Sequence, residues 1–259
     1  MAVKIQDVSV IINNEIILDK ISGSIPRGKV TSIIGPNGAG KSTLLRAVGG
    51  ISNNYSGHIF IDGQDIKRVK RRDFARKLAI LPQGMQVPAD ITVKRLVDYG
   101  RFPYRSWFTG NKGEDEAAVN WAMEETKVAH LAERQLVSLS GGERQRAWIA
   151  MALAQKPEIL LLDEPTTYLD ISHQLEVMEI VSRLNKTLGL TVAMVLHDLN
   201  QAVKYSDNLM VIKDKGIYAS GNPADIMDEQ LLREVFGVRV ESYINNRGEK
   251  ILSPVAVVK

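Results

Sequence analysis

The run Val30-Thr31-Ser32-Ile33-Ile34 leads straight into Gly35-Pro36-Asn37-Gly38-Ala39-Gly40-Lys41-Ser42, and TLLRAV follows before Gly49-Gly50. A largely apolar strand, a glycine-rich turn and a helix that stops at glycines can aim a row of backbone amides at one point. The octapeptide fills the pattern G-x-x-x-x-G-K-[ST], whose glycines let amides turn inward around phosphate oxygens while the helix N-terminus adds positive charge. From residue frequencies a chance match in a chain this long arises roughly 1 time in 100, and the strand-before-helix context lowers that further. The candidate ATP-binding residues are Gly35, Pro36, Asn37, Gly38, Ala39, Gly40, Lys41, Ser42 and Thr43. Lys41 is expected to reach the β- and γ-phosphates, and the Ser42 hydroxyl to ligate Mg²⁺.

Two further motifs suit the same chemistry. Ile159-Leu160-Leu161-Leu162 ends in Asp163-Glu164, and strand ends in an open α/β sheet open onto the crevice where ligands bind. Asp163 is placed to hold Mg²⁺, and Glu164, one residue on, to polarise the attacking water. In Leu139-Ser140-Gly141-Gly142-Glu143-Arg144-Gln145, two glycines open a helix that stops before Pro157. That is the pattern of a second anion site, made of a hydroxyl and helix N-terminal amides.

The rest of the chain reads as an α/β protein. KIQDVSVII and EIILDKIS are strands about an Asn13-Asn14 turn, and Gly57–Gly63 is another short strand. From about Thr92 to Lys156 the apolar spacing is helical, with Thr92 capping VKRLVDYG and EDEAAVNWAMEETKV behind an acidic first turn. ILLLD (159–163) and TVAMVLHD (191–198) are apolar without alternation, as strands buried on both faces are. Between them a helix over Ser172–Leu188 carries Val177, Val181, Leu184 and Leu188 on one stripe and stops at Gly189. A hairpin at 209–221 turns on Asp214-Lys215-Gly216, and DEQLLREVF closes the series as a short capped helix. The expected fold is a mainly parallel core sheet with an antiparallel β-rich start and a helical insert.

Composition removes several classes of function. The longest uninterrupted apolar run, Ala147–Ala154, has eight residues, against the roughly 18–20 that span a bilayer. The first residues show no apolar leader segment, which argues against secretion. The absence of cysteine excludes disulfides, thiolate metal sites and cysteine catalysis. The net charge of +3 comes from one place: Lys67–Lys77 holds seven basic residues and one acid, leaving 26 basic and 29 acidic residues elsewhere. With only Phe74 interleaved, that stretch reads as a solvated helix approach, with anionic lipid or a partner as the alternative, and no nucleic-acid partner is expected.

With these motifs in hand, the chain resembles the ATP-binding subunits of ABC transporters. LSGGERQR is similar to that family's signature, Gln83 in ILPQ to its Q-loop, Thr167-Tyr168-Leu169-Asp170 to its D-loop, and His197 after TVAMVL to its switch histidine, all in the family's order. The resemblance covers almost the whole chain and implies a P-loop NTPase of the ABC ATPase type, a single domain over 1–259. Its approximate parts would be a β-rich region with the P-loop (1–86), a helical subdomain with the signature (87–157), and the rest of the core with a C-terminal hairpin and helix (158–259). It also implies a homodimer in which each ATP lies between one copy's Lys41 loop and the other copy's Ser140, Gly141, Gly142 and Glu143. Glu164, His197 and Gln83 would be catalytic, Ser42, Gln83 and Asp163 would hold Mg²⁺, and Asp170 would mark the D-loop. His58, His130 and His173 are expected to be surface or packing residues.

EPTTYLDISHQLE, HDLNQA and YGRFPY are similar to the subgroup that serves importers of ferric siderophores, haem and cobalamin. Such a subunit would sit at the cytoplasmic face of the membrane with polytopic permease subunits and a substrate-binding protein. The segment from Gln83 to about Gly110 would be the docking surface, with Trp107 and Phe108 either core residues or part of that docking patch. Two positions depart from the pattern: Tyr104 stands where the subgroup often has His, and Ile12 where an aromatic usually stacks on adenine. An exporter ATPase shares every motif. DNA-repair and chromosome-organising ATPases with related signatures need a long coiled coil, for which the ~100 residues between Lys41 and Ser140 leave no room. Related translation factors carry two such cassettes.

Overall fold

Asn13 and Asn14 both adopt left-handed backbone, φ 51° and 64°, as a two-residue hairpin turn of matching twist requires. They join β1 (Val3–Ile12) to β2 (Glu15–Ile25) in a computed structural model that describes residues 1–86, 90–105, 112–246, 248 and 250–258. The chain forms two compact units: Met1–Ile66 with Ala193–Lys259, and Lys67–Val192.

In the first unit, β1 also pairs with β4 (Tyr55–Ile61), and β5 (Gln64–Asp65) completes an antiparallel sheet in the order β2-β1-β4-β5. A bulge at Asp7, φ 48°, lets the inward alternation of Val3 and Ile5 resume at Val8 and Val10. Every residue of β3 (Val30–Ile34) is buried, and α1 (Lys41–Val48) follows the glycine-rich turn. β3 pairs in parallel with β9 (Asn208–Lys213), Thr31 opposite Asn208, and has β8 (Thr191–Val195) on its other side. The chain passes between its units within β8. The expected hairpin is β9 with β10 (Gly216–Gly221), turning on Asp214 and Lys215. Among the elements with no counterpart in the sequence reading are α7 (Leu199–Tyr205), α8 (Pro223–Ile226) and a last hairpin of β11 (Val238–Ile244) and β12 (Lys250–Val257). The capped tail helix is α9 (Glu229–Phe236), with Asp228 as its cap.

The second unit begins with α2 (Arg71–Lys77) and β6 (Leu78–Leu81), which pairs in parallel with β7 (Ile159–Asp163), Leu81 opposite Leu162. That register brings the two residues just past the strand ends, Gln83 and Glu164, side by side. Thr92 caps α3 (Val93–Tyr99) as expected, accepting from Arg95 N. α4 (Lys112–Glu125) and α5 (Gly141–Ala154) form the helical layer around Ala118, Ala122, Ile149 and Ala150. α6 (Ile171–Leu188) starts one residue earlier than expected, because Asp170 rather than a later residue caps it, and it ends at Gly189. Val177, Val181 and Leu184 are buried, but Leu188 is 47% exposed: the last residue of the helix lies beyond the core that covers the rest of the stripe.

Candidate functional site

Elements of the first unit shape the turn expected to cradle phosphate. Gly35 has φ 149°, and a Cβ there would run into the Ile212 carbonyl of β9; Gly40 has φ 95° and faces Leu18. Only glycine can follow this path so close to β9 and β2. Lys41, the first residue of α1, is buried, and its Nζ donates to the carbonyls of Gly35 and Pro36, both at 2.8 Å. The ammonium is thereby held over the turn, with Ser42 and Thr43 beside it in the first turn of the helix. Inturned backbone, a buried cation and a hydroxyl suit a polyphosphate with its divalent cation. His197 is exposed two residues beyond β8, directly before Asp198, which caps α7 by accepting from Gln201 N at 2.9 Å. Asn200 on α7 exchanges two hydrogen bonds with Leu252 of β12, at 3.0 and 2.8 Å. The otherwise unforeseen C-terminal hairpin thus braces the helix behind His197. Ile12 is 46% exposed at the end of β1, beside the cross-strand pair Ile11 and Ile16.

The second unit brings three motifs together. Asp163 is buried at the end of β7, and Glu164 follows in left-handed backbone, φ 53°. Glu164 Oε2 accepts from Gln83 Nε2 at 2.6 Å and from Thr167 Oγ1 at 3.0 Å. Such a carboxylate has its orientation fixed from two sides. With its amide nitrogen engaged, Gln83 keeps Oε1, an oxygen of the kind Mg²⁺ takes. The sequence reading placed Thr167 in the D-loop resemblance but did not foresee its bond to Glu164, although a threonine three residues after a turn carboxylate is the local signal for it.

Ser140 caps α5, accepting from Glu143 N at 3.3 Å, while the Glu143 carboxylate accepts from Ser140 N at 2.8 Å. This reciprocal capping box was legible as Ser-x-x-Glu. It means that the helix end expected to hold an anion already carries its own carboxylate. The bonds from Ser140, backbone first, hold the Glu143 carboxyl below the usual carboxylate range. Asp170 Oδ1 accepts from His173 N at 2.9 Å, His173 Nδ1 at 2.7 Å and Ser172 Oγ at 2.9 Å. These bonds, that from the His173 backbone foremost, lower its carboxyl to a pKa of about 2. The His173 ring lies against Gly142, where any Cβ would fall inside it.

Part of the expected docking segment is also in this unit. Arg72 donates to the carbonyls of Pro103 at 2.7 Å and Arg105 at 2.6 Å, and Arg76 to Pro103 at 3.1 Å. Two residues of the basic stretch therefore tie α2 to the turn after α3. Tyr104 sits under the Arg101 guanidinium, 3.9 Å from its ring centre, and donates to the Gln155 carbonyl at 3.0 Å, so it serves packing. Phe102 is 57% exposed and stacks on Tyr99. Trp107 and Phe108 lie outside the described residues.

Comparison with known proteins gives the family. Residues 18–167 match the ABC transporter family. An iron(3+)-hydroxamate import ATP-binding protein of Bacillus subtilis is 44% identical over 237 residues, 92% of this chain and 88% of that protein. A ferric enterobactin transport ATP-binding protein of Escherichia coli is 46% identical over 223 residues, 86% of this chain and 82% of the relative. Among solved structures, a putative metal-chelate type ABC transporter in an inward-facing conformation gives a TM-score of 0.85 at 25% identity, covering 98% of both chains. A dimeric bacterial ABC transporter cassette gives 0.74 at 27% identity, over 85% of this chain and 98% of that one. Motif order, fold and sequence agree, and the chain belongs to the ABC transporter family as one of its ATP-binding proteins.

Proposed function

We propose that the chain is the ATP-hydrolysing subunit that powers import of a metal chelate, of the iron-siderophore, haem or cobalamin class, through separate membrane subunits. The observation that carries the catalytic reading is the Glu164 carboxylate, fixed by Gln83 and Thr167 at the end of β7. The import class rests on relatives named for hydroxamate, petrobactin and enterobactin uptake. The two units act as one ATPase module spanning 1–259.

Residues 35–43 grip the triphosphate, and Lys41 and the loop amides supply positive charge to its oxygens. Ser42, Gln83 and Asp163 would hold Mg²⁺ through their oxygens, and the ion when bound would supply positive charge to the phosphate oxygens. Glu164 orients and polarises the attacking water, and His197 senses the γ-phosphate. Two copies pack head to tail, so that Ser140, Gly141, Gly142 and Asp170 of one face the nucleotide of the other. Tyr168 and Ile171, 94% and 78% exposed on either side of Asp170, are the apolar surface such a partner would cover. ATP favours the closed pair by differential affinity, and hydrolysis releases it. No helix of the described residues is long and apolar enough to cross a membrane. Likeness to relatives named as import ATP-binding proteins supports a subunit that works from the cytoplasmic face, bound to polytopic permeases served by a substrate-binding protein, with the surface around Phe102 as its docking face.

Glu164→Gln tests the reading. It should keep ATP binding, lose turnover by ~10²–10⁴ and accumulate an ATP-dependent dimer in size exclusion. Wild-type turnover would refute the assignment.

A further inference from the structure

The expectation for His173 was a surface or packing role, yet it touches two motifs at once. Its backbone N and its Nδ1 both donate to Asp170 Oδ1, at 2.9 and 2.7 Å, and Ser172 Oγ adds a third donor to that oxygen. The ring held by these bonds covers Gly142 so closely that no side chain fits there. Beside it, a Cβ at Gly141 would touch Leu169 at 3.4 Å. One helical turn further along, Arg146 on α5 is ion-paired with Glu176 on α6. The connection also runs the other way: Gln174 donates to the Leu169 carbonyl at 2.9 Å, Leu169 N to the Thr166 carbonyl at 3.4 Å, and Thr167 to Glu164.

We propose that His173 is a positioning residue: oriented by Asp170, its ring seats the Ser140–Gly142 turn against the D-loop, so that the two present themselves to a second copy as one rigid piece. The inference rests on the head-to-tail reading above. Asp170 and Ser140 are exposed and sit at the N-termini of two different helices, each free in principle to shift separately. A ring that hydrogen-bonds to one and packs on the other removes that freedom before the partner arrives, which is how preorganisation strengthens a contact without adding one to the partner itself. His173 touches no nucleotide in this scheme. Its loss should act on the second copy's site and leave nucleotide binding by its own chain intact.

Three variants separate its two contacts. His173→Ala removes both, His173→Phe keeps a ring without the donor, and His173→Asn keeps a donor at the place of Nδ1. ATPase kinetics should show kcat reduced about tenfold in His173→Ala with KM within about twofold, a smaller recovery in His173→Phe, and recovery to within about threefold in His173→Asn. In the Glu164→Gln background, His173→Ala should weaken the ATP-dependent dimer by a similar factor, read by analytical ultracentrifugation. Should His173→Ala fail to fold, the phenylalanine and asparagine variants carry the comparison, with thermal unfolding of each recorded. A fully active His173→Phe would overturn the role of the Asp170 bond, and equal changes in KM and kcat would overturn the positioning role. If Glu164→Gln alone forms no ATP-dependent dimer, the two-chain reading falls and this inference with it. If that dimer forms and His173→Ala leaves its affinity unchanged, this inference alone falls.

Discussion

Gln83 Nε2 lies 2.6 Å from Glu164 Oε2, so a residue two positions past the end of β6 steers the carboxylate that follows β7. The parallel register of the two strands makes the pairing, since Leu81 and Leu162 are already partners. Gln83→Ala would free Glu164 on one side and leave Thr167 on the other. The expected result is a kcat lower by ~10–100-fold, the cost of a small misplacement of a reacting group, with ATP affinity changed little. Steady-state kinetics and nucleotide titration check this; a loss confined to KM would place Gln83 in ground-state binding instead.

Signature and cradle serve different nucleotides if two copies pack head to tail. Ser140→Arg should abolish hydrolysis while the single chain still binds ATP. Lys41→Ala should abolish it by losing the phosphate grip. A mixture of the two contains heterodimers with one intact composite site, and its activity should return to about half that of wild-type dimers per heterodimer. Dead mixtures with proven heterodimers would count against the geometry.

If the base lies against Ile12, as the family resemblance implies, it meets an aliphatic face with no π-system. Base stacking on an aromatic is worth ~1–3 kcal/mol, so the wild type should depend on its phosphate grip and prefer ATP to GTP by less than roughly tenfold. Ile12→Tyr should tighten ATP and leave kcat nearly unchanged. Titrating both nucleotides against both proteins decides; a hundredfold preference in the wild type would mean that another residue supplies the stacking.

The Asp170 carboxyl has a pKa lowered from 3.8 to about 2 in the fold. A depressed folded value means that its capping contribution is complete above the unfolded pKa, declines below about pH 4 and is gone once pH falls through about 2. Carbon-detected titration of Asp170 should therefore give a midpoint near 2. In acid unfolding, Asp170→Ala should be less stable than wild type at pH 5, and the difference should close below pH 2. A midpoint near 3.8 would show that the three donors do not hold the carboxylate in solution.

Local signals made much of this structure legible. Asn13-Asn14, Thr92, Gly189 and the octapeptide at 35–42 each specify backbone geometry through their own chemistry, and the elements they bound are found where expected. α7 escaped notice because its cap, Asp198, had been read together with His197 as the end of a strand. β11 and β12 are edge-like strands with exposed Tyr243, Ile244 and Val257, which blur the alternation. The bond from Gln83 to Glu164 follows from strand register, and the contact of His173 with Gly142 from the apposition of two helices 31 positions apart. Neither kind of neighbour is encoded by spacing along the chain.

The division of the chain has a bearing on how it is made. Residues Lys67–Val192 are one continuous run, whereas the first unit is assembled from two ends of the sequence. β3 finds its partner β9 only with Thr31 opposite Asn208, and Val30 N donates to the Asp207 carboxylate at 2.9 Å. On a ribosome adding ~5–20 residues per second, β3 emerges on the order of ten seconds before β9 exists. During that interval its five apolar-rich residues have no native neighbour on that edge, while the later-emerging run can already close its own contacts. The strand that leads into the proposed phosphate cradle is thus among the first segments translated and among the last to be paired, which leaves the newborn chain open to aggregation at the place on which the proposed nucleotide grip depends.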